Sequence, residues 1–202
     1  MPPASDVPDR PTGSGAPYWS WLGGRPSLDL VNTRRERWRR SVDCLLSDAD
    51  VVRWLVKAEL LPGPMAAPLG LLAEARELRE AIDAGVRSVA EGSSWDPAAV
   101  TIVDDWLVHA GSRPALLLLG RADLVLGERA PADSPRRALG MVALDAAHML
   151  GRPEERPRVR ICASDTCSAR FFDRSPSGRR RWCSMALCGN AAKARRHRAR
   201  AA

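Results

Sequence analysis

The sequence predicts a mainly helical protein: an N-terminal helical domain carrying one small β-hairpin, followed by a compact C-terminal module made of a short hairpin and a helix. Three observations predict it. Apolar residues recur at helical intervals through the middle of the chain, capping residues stand where those stripes begin, and four of the five cysteines crowd into residues 162–188. At 202 residues, 45% hydrophobic and 27% charged, the chain is long enough for one ordinary domain and a small appendage. The same proportions exclude a wholly disordered or collagen-like chain.

Residues 1–17 hold five prolines with Gly13, Ser14 and Gly15 and no apolar periodicity, so they read as a disordered leader. A helical domain is expected over 18–151, with Trp19, Trp21 and Leu22 covering a core edge. Leu28, Leu30 and Val31 belong to a short first helix ahead of an arginine-rich stretch that runs to Arg40. Ser47 with Asp50 three residues on is an acidic capping box, and the helix it opens turns Val51, Leu55 and Val56 inward until Pro62. The clearest helix places Leu71, Ala75, Leu78, Ile82 and Val86 at intervals of three and four, with Gly92 beyond its end. Asp96 before Pro97 caps a helix through Val100, Val103 and Leu107. Ser134 and Pro135 repeat that grammar for a helix with Leu139, Val142, Ala146 and Leu150 inside, closed by Gly151 and Pro153. The apolar runs 115–119 and 124–126 around Gly120 and Asp123 read as the one hairpin. Residues 152–157 are the expected linker, and 158–202 the second module.

Charge separates the two parts. Residues 157–202 carry 12 Lys and Arg against Asp165 and Asp173, a balance of +10, while the first 156 residues carry 19 basic and 22 acidic groups, a balance of −3. A concentrated positive surface attracts polyanions. The longest aliphatic run is five residues, far short of the roughly 20 a bilayer-spanning helix needs, so no membrane partner is expected. The first residues lack the pattern of an export signal, and a cytoplasmic protein is expected.

The clustered cysteines read Cys162-x4-Cys167-x15-Cys183-x4-Cys188. Paired cysteines at short spacing turn both sulfurs inward on one tight loop, and two such pairs make the tetrahedral shell of one structural zinc ion. Four buried thiols without metal, or two disulfides in an oxidising compartment, are the competing readings. A module of about 45 residues folds poorly on burial alone, so the metal would decide whether it folds. Phe171 and Phe172 are expected to enter a turn at 175–178, with 179–182 returning as the second strand. After Cys183, Ser184 opens a helix in which Leu187, Ala191 and Ala194 share the packing side, while Lys193, Arg196 and Arg200 lie opposite and His197 at the margin. That cationic side, with Arg195 and the hairpin residues Arg179, Arg180 and Arg181, suits phosphate contacts on nucleic acid. The plainer reading is a solubilising basic tail that meets nucleic acid nonspecifically.

Residues 158–198, with Arg180-Arg181-Trp182-Cys183-Ser184-Met185, Cys188-Gly189-Asn190 and Lys193-Ala194-Arg195-Arg196, resemble the CGNR-type zinc finger. Ser27-Leu28-Asp29-Leu30-Val31-Asn32-Thr33, with Leu78-Arg79-Glu80-Ala81, is similar to the ABATE domain that precedes that finger in the same bacterial family. The resemblance spans about residues 20–200 and implies a stress-related transcriptional regulator. It also implies that Cys162, Cys167, Cys183 and Cys188 are the zinc ligands and that the finger is the DNA-binding part. The arginine that closes the family motif is Ala191 here, a change expected to weaken binding without abolishing it.

Asp29, Asn32 and Thr33, with Arg76 and Arg79, are candidates for a polar cleft taking a small-molecule effector; caps and ordinary ion pairs are the alternative. Cys44 reads as a small buried hydrophobe, His109 and His148 as core or surface residues, Trp54 and Trp106 as core, and Trp182 as a cover over the finger's sulfurs. No Gly-rich phosphate loop, nucleophile elbow or histidine pair at helical spacing is legible, so no enzyme is expected. The reading is a regulator with a helical sensor or partner-binding domain and a treble-clef-like zinc finger that grips DNA. Its rival is a zinc-thiolate redox or protein-interaction module whose basic end contacts RNA or an acidic partner.

Overall fold

The structure is a computed structural model describing residues 19–111, 114–119, 123–128 and 133–201, the side chains at 114, 115, 117, 119, 123, 126–128 and 201 and those of Arg196, His197 and Arg200 excepted. The expected leader at 1–17 and the hairpin turn at 120–122 lie outside the described residues.

Among the described residues, five helices make the body: α1 (Pro26–Val31), α2 (Asp48–Lys57), α3 (Leu71–Glu91), α4 (Pro97–Leu107) and α5 (Pro135–Gly151). The caps sit where the sequence places them. Ser47 Oγ accepts the Asp50 N–H at 3.2 Å, Asp96 caps Ala98, and Ser134 Oγ accepts from Arg137. The Asp50 carboxylate reaches one residue further back than a capping box requires, accepting the Leu46 N–H at 2.9 Å. α2 stops before Pro62 because Glu59 adopts φ +60°, and Glu59 and Leu60 donate back to Val56 and Leu55, closing a Schellman turn. α3 ends on Gly92 at φ +65°, a left-handed conformation that glycine accepts without strain.

A two-residue ribbon of β1 (Arg34–Arg35) and β2 (Val42–Asp43) follows α1. β3 (Pro114–Leu119) pairs antiparallel with β4 (Asp123–Glu128) as the expected hairpin, Leu116 opposite Leu126 and Leu118 opposite Leu124. Leu28, Leu30 and Val31 of α1, Trp54 of α2, the Leu71–Val86 stripe of α3, Trp106 of α4 and Leu139, Val142 and Ala146 of α5 form one buried core. Cys44 is buried beside it, and burial pushes its thiol up to about 11. No helix among the described residues is long and apolar enough to cross a membrane.

The C-terminal module comprises β5 (Val159–Ile161), β6 (Arg170–Phe172), a π-turn (Met185–Gly189) and α6 (Asn190–Ala201). Its hairpin differs from the expected one. β6 pairs with β5 rather than with 179–182, Val159 opposite Phe172 and Ile161 opposite Arg170. The loop between the first two cysteines is therefore the hairpin's own turn. The segment after Asp173 returns without strand pairing, held by Arg158 on the carbonyls of Asp173 and Ser175 and by the Ala163 N–H on the Arg181 carbonyl. Val159 belongs to the body's core and Phe172 packs against it, so the small ribbon lies on the helical domain.

Candidate metal centre and basic face

The hairpin places the first two sulfurs. The Cys162 N–H donates to the Ala169 carbonyl and Cys167 N–H to Ser164, a knuckle with both thiols on its inner side. The second pair flanks the start of the C-terminal helix. Ser184 Oγ caps Leu187, while the amides of Cys188 and Gly189 both return to the Ser184 carbonyl, the widened turn of a π-helix. A Cβ at Gly189 would stand 2.7 Å from Met185 Sδ, so a larger residue there would require the exposed end of the Met185 side chain to move aside.

These two loops bring all four Sγ atoms within 4.8 Å of one another. Cys167 and Cys183 are 3.8 Å apart and Cys183 and Cys188 3.7 Å. A disulfide would require about 2.05 Å. Zinc–sulfur bonds of about 2.3 Å give a tetrahedron whose edge is about 3.8 Å, so the sulfurs stand where a single zinc ion would hold them. Phe171 and Trp182 pack around the cluster, and the Ala169 N–H points at Cys167 Sγ from 3.5 Å. Four sulfurs this close cannot all ionise without a cation. The hydrogen bond from Cys167 draws the Cys162 thiol below the ordinary range, while contact with Cys162 holds Cys183 and Cys188 above it. A divalent cation removes that conflict, and four thiolates fill its shell with no position left for water.

Of the residues expected to meet nucleic acid, Arg179, Arg180, Arg181 and Lys193 are exposed. Arg180 also donates to the Cys183 carbonyl at 2.6 Å and lies over the Phe171 ring, and Arg181 lies over Trp182. Arg195 is half-buried and paired with Asp165 at 2.6 Å. The side chains of Arg196, His197 and Arg200 lie outside the described residues. The helix faces are a correction. Leu187, Ala191 and Ala194, expected to pack, are exposed, and Cys188, Ala192 and Arg195 are the half-buried set. The π-turn shifts the angular phase before α6 begins, so counting at 100° from Leu187 points the stripe the wrong way. Ala191 accordingly sits on the surface rather than on a packing side.

The five residues proposed for an effector cleft are engaged with the protein itself. Arg79, 2% exposed, makes a two-pronged pair with Asp43 at 2.8 and 2.9 Å and donates to Thr33 Oγ1. Arg76 donates to the Leu45 carbonyl and pairs with Asp43. Asp29 accepts the Gly23 N–H at 2.8 Å; burial, opposed by that hydrogen bond, pushes its carboxyl up to about 7. Asn32 does something the sequence did not announce. Its amide donates to the Arg170 carbonyl at 2.9 Å and accepts the Arg170 N–H at 2.8 Å, while Phe172 N–H donates to the Gly23 carbonyl. The body thus completes the outer edge of β6. Below this edge the buried Arg170 guanidinium donates to Asp83 of α3 at 2.6 and 3.3 Å, and Arg37 reaches the same carboxylate. Sequence reasoning missed Arg170, Asp83 and Arg37; their partners are too distant in the chain for any local pattern to mark them.

The profile of the family described as "Putative stress-induced transcription regulator", ABATE, matches residues 24–153. The chain belongs to the ABATE family. The CGNR zinc finger profile matches residues 158–201 and covers all four cysteines, so the cluster is the zinc site of a CGNR finger and takes one zinc ion. A comparison with curated proteins finds no match. In this ABATE protein the stretch Ser27-Leu28-Asp29-Leu30-Val31-Asn32-Thr33 supplies α1 to the core with its leucines and Val31, and the finger's edge with Asn32.

Proposed function

We propose that this zinc-binding regulator grips double-stranded DNA through its finger, and that the helical domain senses an effector or receives a partner. The observation that carries the reading is the charge on the finger's surface. Arg179, Arg180, Arg181, Lys193 and Arg198 are exposed there, while of its two acids Asp173 is fully buried and Asp165 alone is exposed. A hollow of about 300 Å³ between α3, α4 and α5, lined by Val103, Leu107, Ala147, Leu150, Trp95 and Arg156, is of a size to take a small effector. In this reading the metal is structural, no substrate is turned over, and the protein works in the cytoplasm, where its thiols stay reduced.

The test is duplex binding across a salt series. Log affinity should fall with log salt by about 0.9 per neutralised phosphate, and Arg179→Ala with Lys193→Ala should flatten that slope by about two units. Affinity indifferent to salt would end the reading. The half-burial of Cys167 and Cys188 favours a second, redox reading, in which peroxide takes two electrons from a thiolate pair, is reduced to water, and leaves one disulfide and a released zinc ion. Zinc retained through mild peroxide exposure would count against it. Binding confined to RNA would favour an RNA-contacting module.

A further inference from the structure

We infer that the turn joining β1 to β2 on the helical domain is a second arm of the DNA-binding face, meeting the phosphate backbone beside the finger. This rests on the DNA-binding reading. Residues 34–40 hold five arginines, one glutamate and Trp38. Three of these side chains anchor the turn or its tip: Arg34 and Arg37 pair with Glu80 on α3, and Arg40 with Glu36. The tip itself, Trp38, Arg39 and Arg40, is exposed.

The backbone is built to present that tip. Glu36 and Ser41 bracket it at φ +49° and +51°, left-handed conformations uncommon outside glycine, and the amides of Arg39 and Ser41 both donate to the Glu36 carbonyl. Strained residues of this kind persist where surrounding bonds over-determine them, and they gather at binding sites. Trp38, 48% exposed, lies against the finger. Its indole N–H donates to the Asp165 carbonyl at 3.3 Å, and the Arg170 guanidinium lies over its ring at 5.7 Å. The carboxylate of the same Asp165 holds Arg195 of α6. One finger residue therefore touches both the arginine turn and the basic helix, which puts the two cationic groups side by side. Asp165, with its side chain 70% exposed, is the acid standing between them. A phosphate arriving there would compete with it for Arg195.

The test uses the full-length, zinc-loaded protein and a 20-base-pair blunt duplex, titrated over a salt series. Arg39→Ala with Arg40→Ala should flatten the salt slope by one to two units, with zinc content and thermal melting unchanged. Asp165→Asn, which removes the competing carboxylate, should tighten binding several-fold. Should Arg39→Ala with Arg40→Ala keep the wild-type slope while Arg179→Ala with Lys193→Ala flattens it, the arm is wrong and the DNA reading stands. A wild-type protein without salt-dependent duplex binding removes that reading and the arm with it. Loss of affinity for single-stranded RNA alone, in the turn variant, also overturns the inference.

Discussion

The helical body and the finger are stabilised by opposite means. The body buries a continuous apolar core through all five of its helices, whereas the interior of the finger amounts to Cys162, Phe171 and Cys183 with a few half-buried neighbours. Burial alone suffices for the first and not for the second. The finger offsets the deficit twice: by metal at one end, and at the other by giving Val159 and Phe172 to the body and accepting Asn32 and Gly23 along β6. A small module can thus be independent in chemistry and dependent in structure.

Removing the metal should break that contrast most sharply. Structural zinc contributes about 10–16 kcal/mol in apparent binding free energy in finger peptides. Chelation, or Cys183→Ser, should therefore unfold the segment beyond Phe172 while circular dichroism retains the signal of α1 to α5. Rigid, protease-resistant finger residues in the metal-free protein would refute the contrast. Next in size is the ion pair across the seam. Asp83→Ala leaves the Arg170 guanidinium buried without its main partner, a change that costs about 3–5 kcal/mol. Chemical denaturation should show the body and finger losing stability together, whereas separate transitions would show that the seam does not couple them.

The smallest expected effect is a pH dependence from Asp29. Its folded carboxyl titrates at about 7, above the ordinary value of 3.8, so the protonated form is favoured by folding. The stability it contributes is complete below the unfolded value, falls as pH rises from there towards 7, and is lost above it. The fall runs between about pH 4 and 7, at no more than about 1.4 kcal/mol per unit, and levels off above the folded value. Asp29→Asn should flatten stability over that window, as read from melting temperatures; an undiminished slope would assign it to another group.

The helices of the body were legible because their signals are local. Ser47, Asp96 and Ser134 bond to amides two or three residues away, and the Leu71 to Val86 stripe repeats within one element. The metal site was legible for the same reason, two short cysteine spacings. What failed depended on distance or on irregular backbone. Spacing between Cys167 and Cys183 does not say which strand Phe171 joins, and the choice of β5 is made by the knuckle at Cys162. The buried side of α6 was lost to a π-turn that no composition rule marks. Asn32 and Arg170 stand 138 residues apart, and polar pairing at that range has no periodicity to read.

The borrowed edge of β6 has a consequence for how such a finger travels. Severed from its helices, it would carry a bare ribbon margin and an uncovered Phe172, open to any strand with free amides. Grafting it onto another protein therefore means supplying a substitute for Asn32 and Gly23 in the new host, or accepting a product that sticks to its own kind.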